Sequence, residues 1–209
     1  GLERYKEGGE VVVLNIPLKK RETSENSDPG AVVLENVKRE PCALDATKPA
    51  AMNHPAGLAL CARRLGVDVS TAWIYGACGF AFALNIHPEI CPSGPTAWKH
   101  EATDKLAGNT GLKVDRFFVE RKQSDYAEKQ LEMFEKAQKS IDSGRPVIGW
   151  EMRHPDFYPV VGYNADKRYL FLDYDGSLQE VAYNKIDSDI GISMALFVDK
   201  SNSADDRQT

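Results

Sequence analysis

The strongest constraint on how this chain can fold is a change of rhythm at Gly144. Upstream of it, Tyr126, Gln130, Phe134, Ala137 and Ile141 recur at helical spacing. Ser124 stands where a first-turn cap belongs and Gly144 where a stop belongs, so the pattern predicts one long amphipathic helix. Downstream the 3.6-residue period disappears. PVIGWEM (146–152), FYPVVGY (157–163), RYLFLDY (168–174), SLQEVAY (177–183) and ISMALFV (192–198) are short β-branched or aromatic runs, which suit a pleated and half-buried surface. Asn164-Ala165-Asp166 and Asp175-Gly176 separate neighbours too briefly for a parallel crossover, so these strands are expected to pair antiparallel.

The front of the chain reads as strands and then helices. EVVVLNIPL (10–18) has the composition of an edge strand, and the polar KKRETSENSDPG loop after it closes on Asp28-Pro29-Gly30. AVVLENV (31–37) is a second short strand leading to a corner at Pro41-Cys42. Leu58, Cys61, Ala62 and Leu65 predict an amphipathic helix from about Pro55, with Asn53 as cap and Gly66 as stop. A second helical stretch starts near Ser70. After the small-residue break Gly76-Ala77-Cys78-Gly79, FAFALNI has the character of a buried helix. A CPSGP loop (91–95), a helix from Thr96 to Leu106 and a strand LKVDRFFV (112–119) follow. Helices first and sheet last give an α+β class, with an N-terminal helical half packed on a C-terminal antiparallel sheet. With 209 residues and 42% apolar content, one sizeable core is expected. The division is residues 1–30 as a partly mobile strand and loop, 31–200 as one domain and 201–209 as a disordered tail.

The net charge of -5 arises from interspersed acids and bases, which argues against a nucleic-acid partner. No apolar run approaches the roughly 18 residues of a membrane span. The charged opening GLERYKEGGE lacks the form of a signal peptide. The compartment stays open: a cytoplasmic setting is favoured, and a trimmed secreted or lipoprotein form is compatible with the chain. Cys42, Cys61, Cys78 and Cys91 contain no CxxC pair and read as free buried thiols. His54, His87 and His100 match no metal-ligand spacing, so neither metal nor cofactor is expected. Oligomeric state is not legible.

The succession of long helix, SIDSGRPVIGWEM, a strand ending in VVGYNAD and then RYLFLDYDG resembles the second half of C39-like peptidases and their relatives in the papain-like superfold. In that family a GxPV strand precedes a strand that opens with the catalytic histidine and ends in Gly-Tyr. The next strand ends in the aspartate or asparagine that orients the histidine. Gly144-Arg145-Pro146-Val147 matches the first element, Val161-Gly162-Tyr163 the second and Asp173 the orienting acid. The histidine position, six residues before Gly162, is Asp156. A carboxyl of ordinary pKa near ~4 is a poor base at neutral pH, and it cannot form the cation that pairs with a thiolate. From about Ala31 to Lys200 the chain also resembles a bacterial group of this superfold, through YGACGFAF, the CPS loop and the SIDSGRPV to GY run. That resemblance implies fold rather than reaction.

For the nucleophile the resemblance implies Cys78, in YGACGFAFAL, at a helix start where the dipole would lower its pKa. Ala72 stands where the glutamine of the oxyanion hole would be. Alignment to the butirosin-biosynthesis acyltransferase type of N-terminal domain would instead place the thiol near Met52 to His54, where there is none, and Cys42 lies too far upstream. Two readings stay open. In the first the domain is catalytically degenerate and binds a peptide or small polar ligand in the cleft, through Asp156, Glu151, Trp150 and Tyr158. In the second it is an active peptidase or acyltransferase, in which Cys78 attacks, His154 activates it and Asp173 orients the histidine.

Overall fold

The computed structural model describes residues 2–7, 10–14, 30–37, 53–82, 100–186 and 191–201. β1 (Leu2–Glu7) and β2 (Glu10–Leu14) form an antiparallel pair of their own, with a register irregularity between Glu3 and Lys6. The strand read over 10–18 is therefore, in its described part, one arm of a hairpin rather than an edge of the main sheet. Its partner LERYKE carries too many charges to show a strand pattern. The strand read over 31–37 shortens to β3 (Val32–Val33), because Asn36 takes a left-handed φ of 58° and turns the chain away.

α1 (Asn53–Arg64) buries Leu58, Cys61 and Ala62, and it stops at Gly66, whose φ of 67° favours a residue without a Cβ. α2 (Thr71–Ala77) is capped by Ser70, whose Oγ accepts from the Trp73 N–H at 3.1 Å. The buried helix expected over FAFALNI is not found in its described part. Phe80 to Phe82 form a turn, and Phe82 is 84% exposed. The rest of that segment, the CPSGP loop and residues 96–99 lie outside the described residues. α3 (His100–Leu106) leads through a 3-10 turn into β4 (Leu112–Glu120), and a bidentate Arg116–Asp104 pair with both bonds at 2.7 Å clamps α3 to β4. α4 (Tyr126–Asp142) has Asp125 rather than Ser124 at its N-cap position, with no side-chain cap bond, and it ends before Gly144 as expected.

The five strands read after Gly144 are all present: β5 (Val147–Trp150), β6 (Phe157–Tyr163), β7 (Arg168–Leu172), β8 (Leu178–Ala182) and β9 (Ile192–Lys200). With β4 they run in the order β4-β9-β5-β6-β7-β8, every neighbouring pair antiparallel. β3 joins the same sheet against Gly162 and Tyr163 of β6. Gly162 permits this approach, since a Cβ there would lie 2.4 Å from the Val32 carbonyl oxygen.

The architecture is thus mixed helix and antiparallel sheet, but the helices cover both faces rather than one. Side chains alternate across a strand. Ile148, Trp150, Phe157, Met194, Leu196 and Val198 join α1 and α2 in one core, whereas Val147, Tyr158, Val160, Ala195 and Phe197 join α4 in the other. β5, β6 and most of β9 are accordingly buried at consecutive positions. Phe134 anchors α4, its ring 5.0 Å from that of Tyr169 and 5.7 Å from that of Tyr183. Burying a side chain of that size contributes roughly 1.5–3 kcal/mol.

Candidate functional site

At one end of the sheet, the loop leaving β5, the start of β6, the end of β7 and the first residues of α1 converge. β5 ends with a kink: Glu151 is 2% exposed and carries a left-handed φ of 55°. A non-glycine residue in that region costs of order 1–3 kcal/mol and persists only where its surroundings hold it. Here the Glu151 N–H donates to the Asp156 carbonyl at 2.8 Å, closing residues 151–156 into a tight loop before β6.

Asp156 is the hub of the site. Its Oδ1 accepts from the Phe157 N–H at 2.7 Å. Its Oδ2 accepts from the side-chain amide of Asn53, the first residue of α1, and from the Tyr174 hydroxyl at 3.0 Å. The Tyr174 oxygen in turn accepts from the Tyr158 hydroxyl at 2.9 Å, with the two rings 5.3 Å apart. Burial pushes Tyr158 up to about 12 and is the largest cause of a greater rise at Tyr174, where the Asp156 charge adds to it. Both phenols therefore stay protonated at neutral pH. The chain of hydrogen bonds has one direction, Tyr158 to Tyr174 to Asp156.

Asp173, 5% exposed beyond the end of β7, pairs with Arg153 from the 151–156 loop and accepts from the Tyr174 N–H at 2.8 Å. Tyr174 thus touches both acids, through its hydroxyl and its backbone. On the α1 side the site is walled by rings. His54, buried beside Asn53, stacks on Phe157 at 4.6 Å and meets Phe80 edge-on at 5.1 Å, and Trp150 lies edge-on to Phe157 at 4.8 Å.

The residues expected from the sequence divide cleanly. Asp156, Tyr158 and Asp173 are joined through Tyr174, and Trp150 and Glu151 border the same loop. Cys78 is elsewhere. It was expected at a helix start, and it stands at a helix end, capping α2 with its N–H bonded to the Ile74 carbonyl at 3.0 Å. The capping hydroxyl of Ser70 begins that helix too early for Cys78 to open it, so the thiol meets the negative end of the dipole. It has no exposed surface and lies in the core with Ile74, Phe80 and Ala107. Burial pushes its pKa up to about 12, and the charge of Asp104 pushes the same way. His154 is exposed in the 151–156 loop, and no hydrogen bond joins it to Cys78 among the described residues. Cys61, also fully buried, is likewise raised to about 12 by burial. Among the described residues no group of three or more His, Cys, Asp or Glu side chains is placed to hold a metal ion, and no helix is long and apolar enough to cross a membrane.

Sequence reasoning read Asn53 only as a cap and passed over Tyr174, Arg153 and His54 as site residues. The one local signal for Tyr174 is its place directly after Asp173 in LDYDG. Nothing local marks Asn53, whose partner is 103 positions away.

No family model matches the chain, and no curated protein matches it. Among solved structures it is similar to a double glycine motif protease from an AMS/PCAT transporter, determined in complex with the leader peptide. That likeness has 18% sequence identity and a TM-score of 0.43, and it covers 81% of this chain and 98% of the other.

Proposed function

We propose that this chain is a papain-like, C39-like domain without thiol chemistry, and that it binds a peptide or small polar ligand where α1 meets the 151–156 loop. The observation that carries this reading is the bonding of Asp156. The position at which the resembling family has its histidine holds a carboxyl group that accepts from Asn53 and from the Tyr174 hydroxyl. Such a group cannot form the cation that stabilises a thiolate. The start of α1, where one alignment of the family would put the thiol, carries Asn53 and His54. An amide is no nucleophile under these conditions. The two described cysteines are held as thiols by burial, so a mechanism that begins with attack by Cys78 draws no support from its surroundings.

What remains suits binding: this end of the sheet gathers the carboxyl groups of Asp156, Glu151 and Asp173, the Tyr158–Tyr174 chain holds Asp156 in place, and Trp150 supplies an apolar wall. A ligand rich in N–H donors, such as a peptide backbone or an amine, fits that composition. The test has two arms. Isotope-labelled protein is titrated with a mixture of short unstructured peptides, and saturable shifts are expected at the Asn53 side-chain amide and the Trp150 indole, lost in Asp156→Ala. The same peptides are followed for cleavage. Turnover that Cys78→Ala abolishes would overturn the proposal, as would the absence of any saturable shift at this end of the sheet.

A further inference from the structure

A second concavity lies on the α4 face of the sheet, away from the α1 side. It encloses about 310 Å3 between the C-terminal half of α4 and the paired strands β4 and β9. Lys136, Lys139 and Ser140 line it from one stripe of α4 with the C-cap Ser143 below them, and Lys113, Asp115, Phe197 and Asp199 line it from the sheet. The register explains the sheet side. Lys113 is opposite Asp199 and Asp115 opposite Phe197, and alternation along both strands turns these four toward the same face as the α4 core. Arg145, just after the Gly144 turn, completes the rim.

Its charge runs against that of the chain. The protein as a whole is at -5, yet this groove gathers four cations against two carboxylates. Both carboxylates are engaged, Asp115 with Lys136 and Asp199 with Arg145. Lys136 also sits 4.3 Å over the Phe197 ring, which orients its ammonium. Lys113 and Lys139 are left over: among the described residues neither has a carboxylate within ion-pair distance. One lysine at a helix C-terminus is accounted for by the dipole. Lys113 reaches the groove from the opposite wall, on β4.

We infer that this groove is a binding site for a small soluble phosphate ester, whose dianionic head bridges Lys113 and Lys139. Two uncommitted ammonium groups on opposite walls match a doubly charged tetrahedral oxyanion better than a single carboxylate, since each can donate to a different oxygen. The site uses none of the residues at the α1 end, so it stands or falls independently of the cleft.

The probe is phenyl phosphate, titrated into isotope-labelled full chain at low salt, with benzyl alcohol as the uncharged control and phosphatidic acid vesicles as the lipid arm. Saturable shifts are expected at residues 113, 139, 143 and 197, weakening as salt is raised. No such response is expected from benzyl alcohol. Lys113→Ala and Lys139→Ala should each weaken binding roughly tenfold, the loss expected for one charge-assisted hydrogen bond, with unfolding midpoints unchanged. Saturable shifts centred elsewhere, affinity indifferent to both substitutions, or binding to the vesicles alone would each overturn the assignment.

Discussion

Replacing Tyr174 with Phe tests the hydrogen-bond chain at the candidate site most directly. In the native chain Tyr158 donates to Tyr174, and Tyr174 donates to Asp156. Tyr158→Phe removes the first donor but leaves Tyr174 bonded to the carboxylate, so it should cost about 1 kcal/mol, the net value of one neutral hydrogen bond. Tyr174→Phe does more. It removes a bond to a charged acceptor, worth roughly 1.5–3 kcal/mol, and with it the bond that Tyr158 donates, at a further ~1 kcal/mol. About 3 kcal/mol is expected. The Tyr158–Tyr174 bond is lost in each single variant but only once in the double variant. The double variant's loss should therefore fall short of the summed single losses by ~1 kcal/mol. Urea unfolding at neutral pH, followed by tryptophan fluorescence and by circular dichroism, gives all three values. Single losses that add within ~0.5 kcal/mol, or a Tyr174→Phe loss below that of Tyr158→Phe, would refute the directed chain.

Further outcomes follow from the same structure. Cys61 and Cys78 should resist iodoacetamide in the native state at pH 8 and label quickly in denaturant, because both are enclosed and raised to about 12; mass spectrometry of the labelled peptides reads this directly. Gly162→Ala should detach β3, since its Cβ would meet the Val32 carbonyl oxygen at 2.4 Å. Fast amide exchange at Leu34, whose N–H bonds the Val161 carbonyl at 2.8 Å in the native chain, is the expected sign. Arg153→Ala leaves the Asp173 carboxyl, 6% exposed, without its ion-pair partner, and about 1–3 kcal/mol of stability should be lost in urea.

How far the sequence can be read depends on how local the signal is. The strands at 147–150, 157–163 and 168–172 were legible because tight turns bound them and their side chains are β-branched or aromatic. Their neighbours in space were less so. That β9 slips between β4 and β5 follows from pairings across long stretches of chain, which no local pattern records. The two-sided packing had a visible signal. FYPVVGY and SMALFV are apolar at successive positions, as strands covered on both faces must be, yet those runs were read only as strands. At the site, Asp156 and Asp173 were found through the spacing of the GRPV, GY and LDYDG segments. Asn53 was not, because its role exists only once α1 packs on the sheet. At Cys78 the local Gly-x-Cys pattern suggests a helix start, whereas the decisive residues are Ser70, which starts α2, and Gly79, whose φ of 85° ends the turn after it.

The position of β9 also sets a schedule. β4 has β9 as its only strand partner among the described elements, and β5 has β9 along one edge. As the chain is synthesised, β4 through β8 emerge before Ile192–Lys200 exists, so for that interval β4 and one side of β5 present bare edges. Open edges are templates for pairing with other chains. The interval between completing β8 and completing β9 is therefore when a nascent copy of this protein is most exposed to misassembly, and slowing translation just before residue 192 would lengthen it.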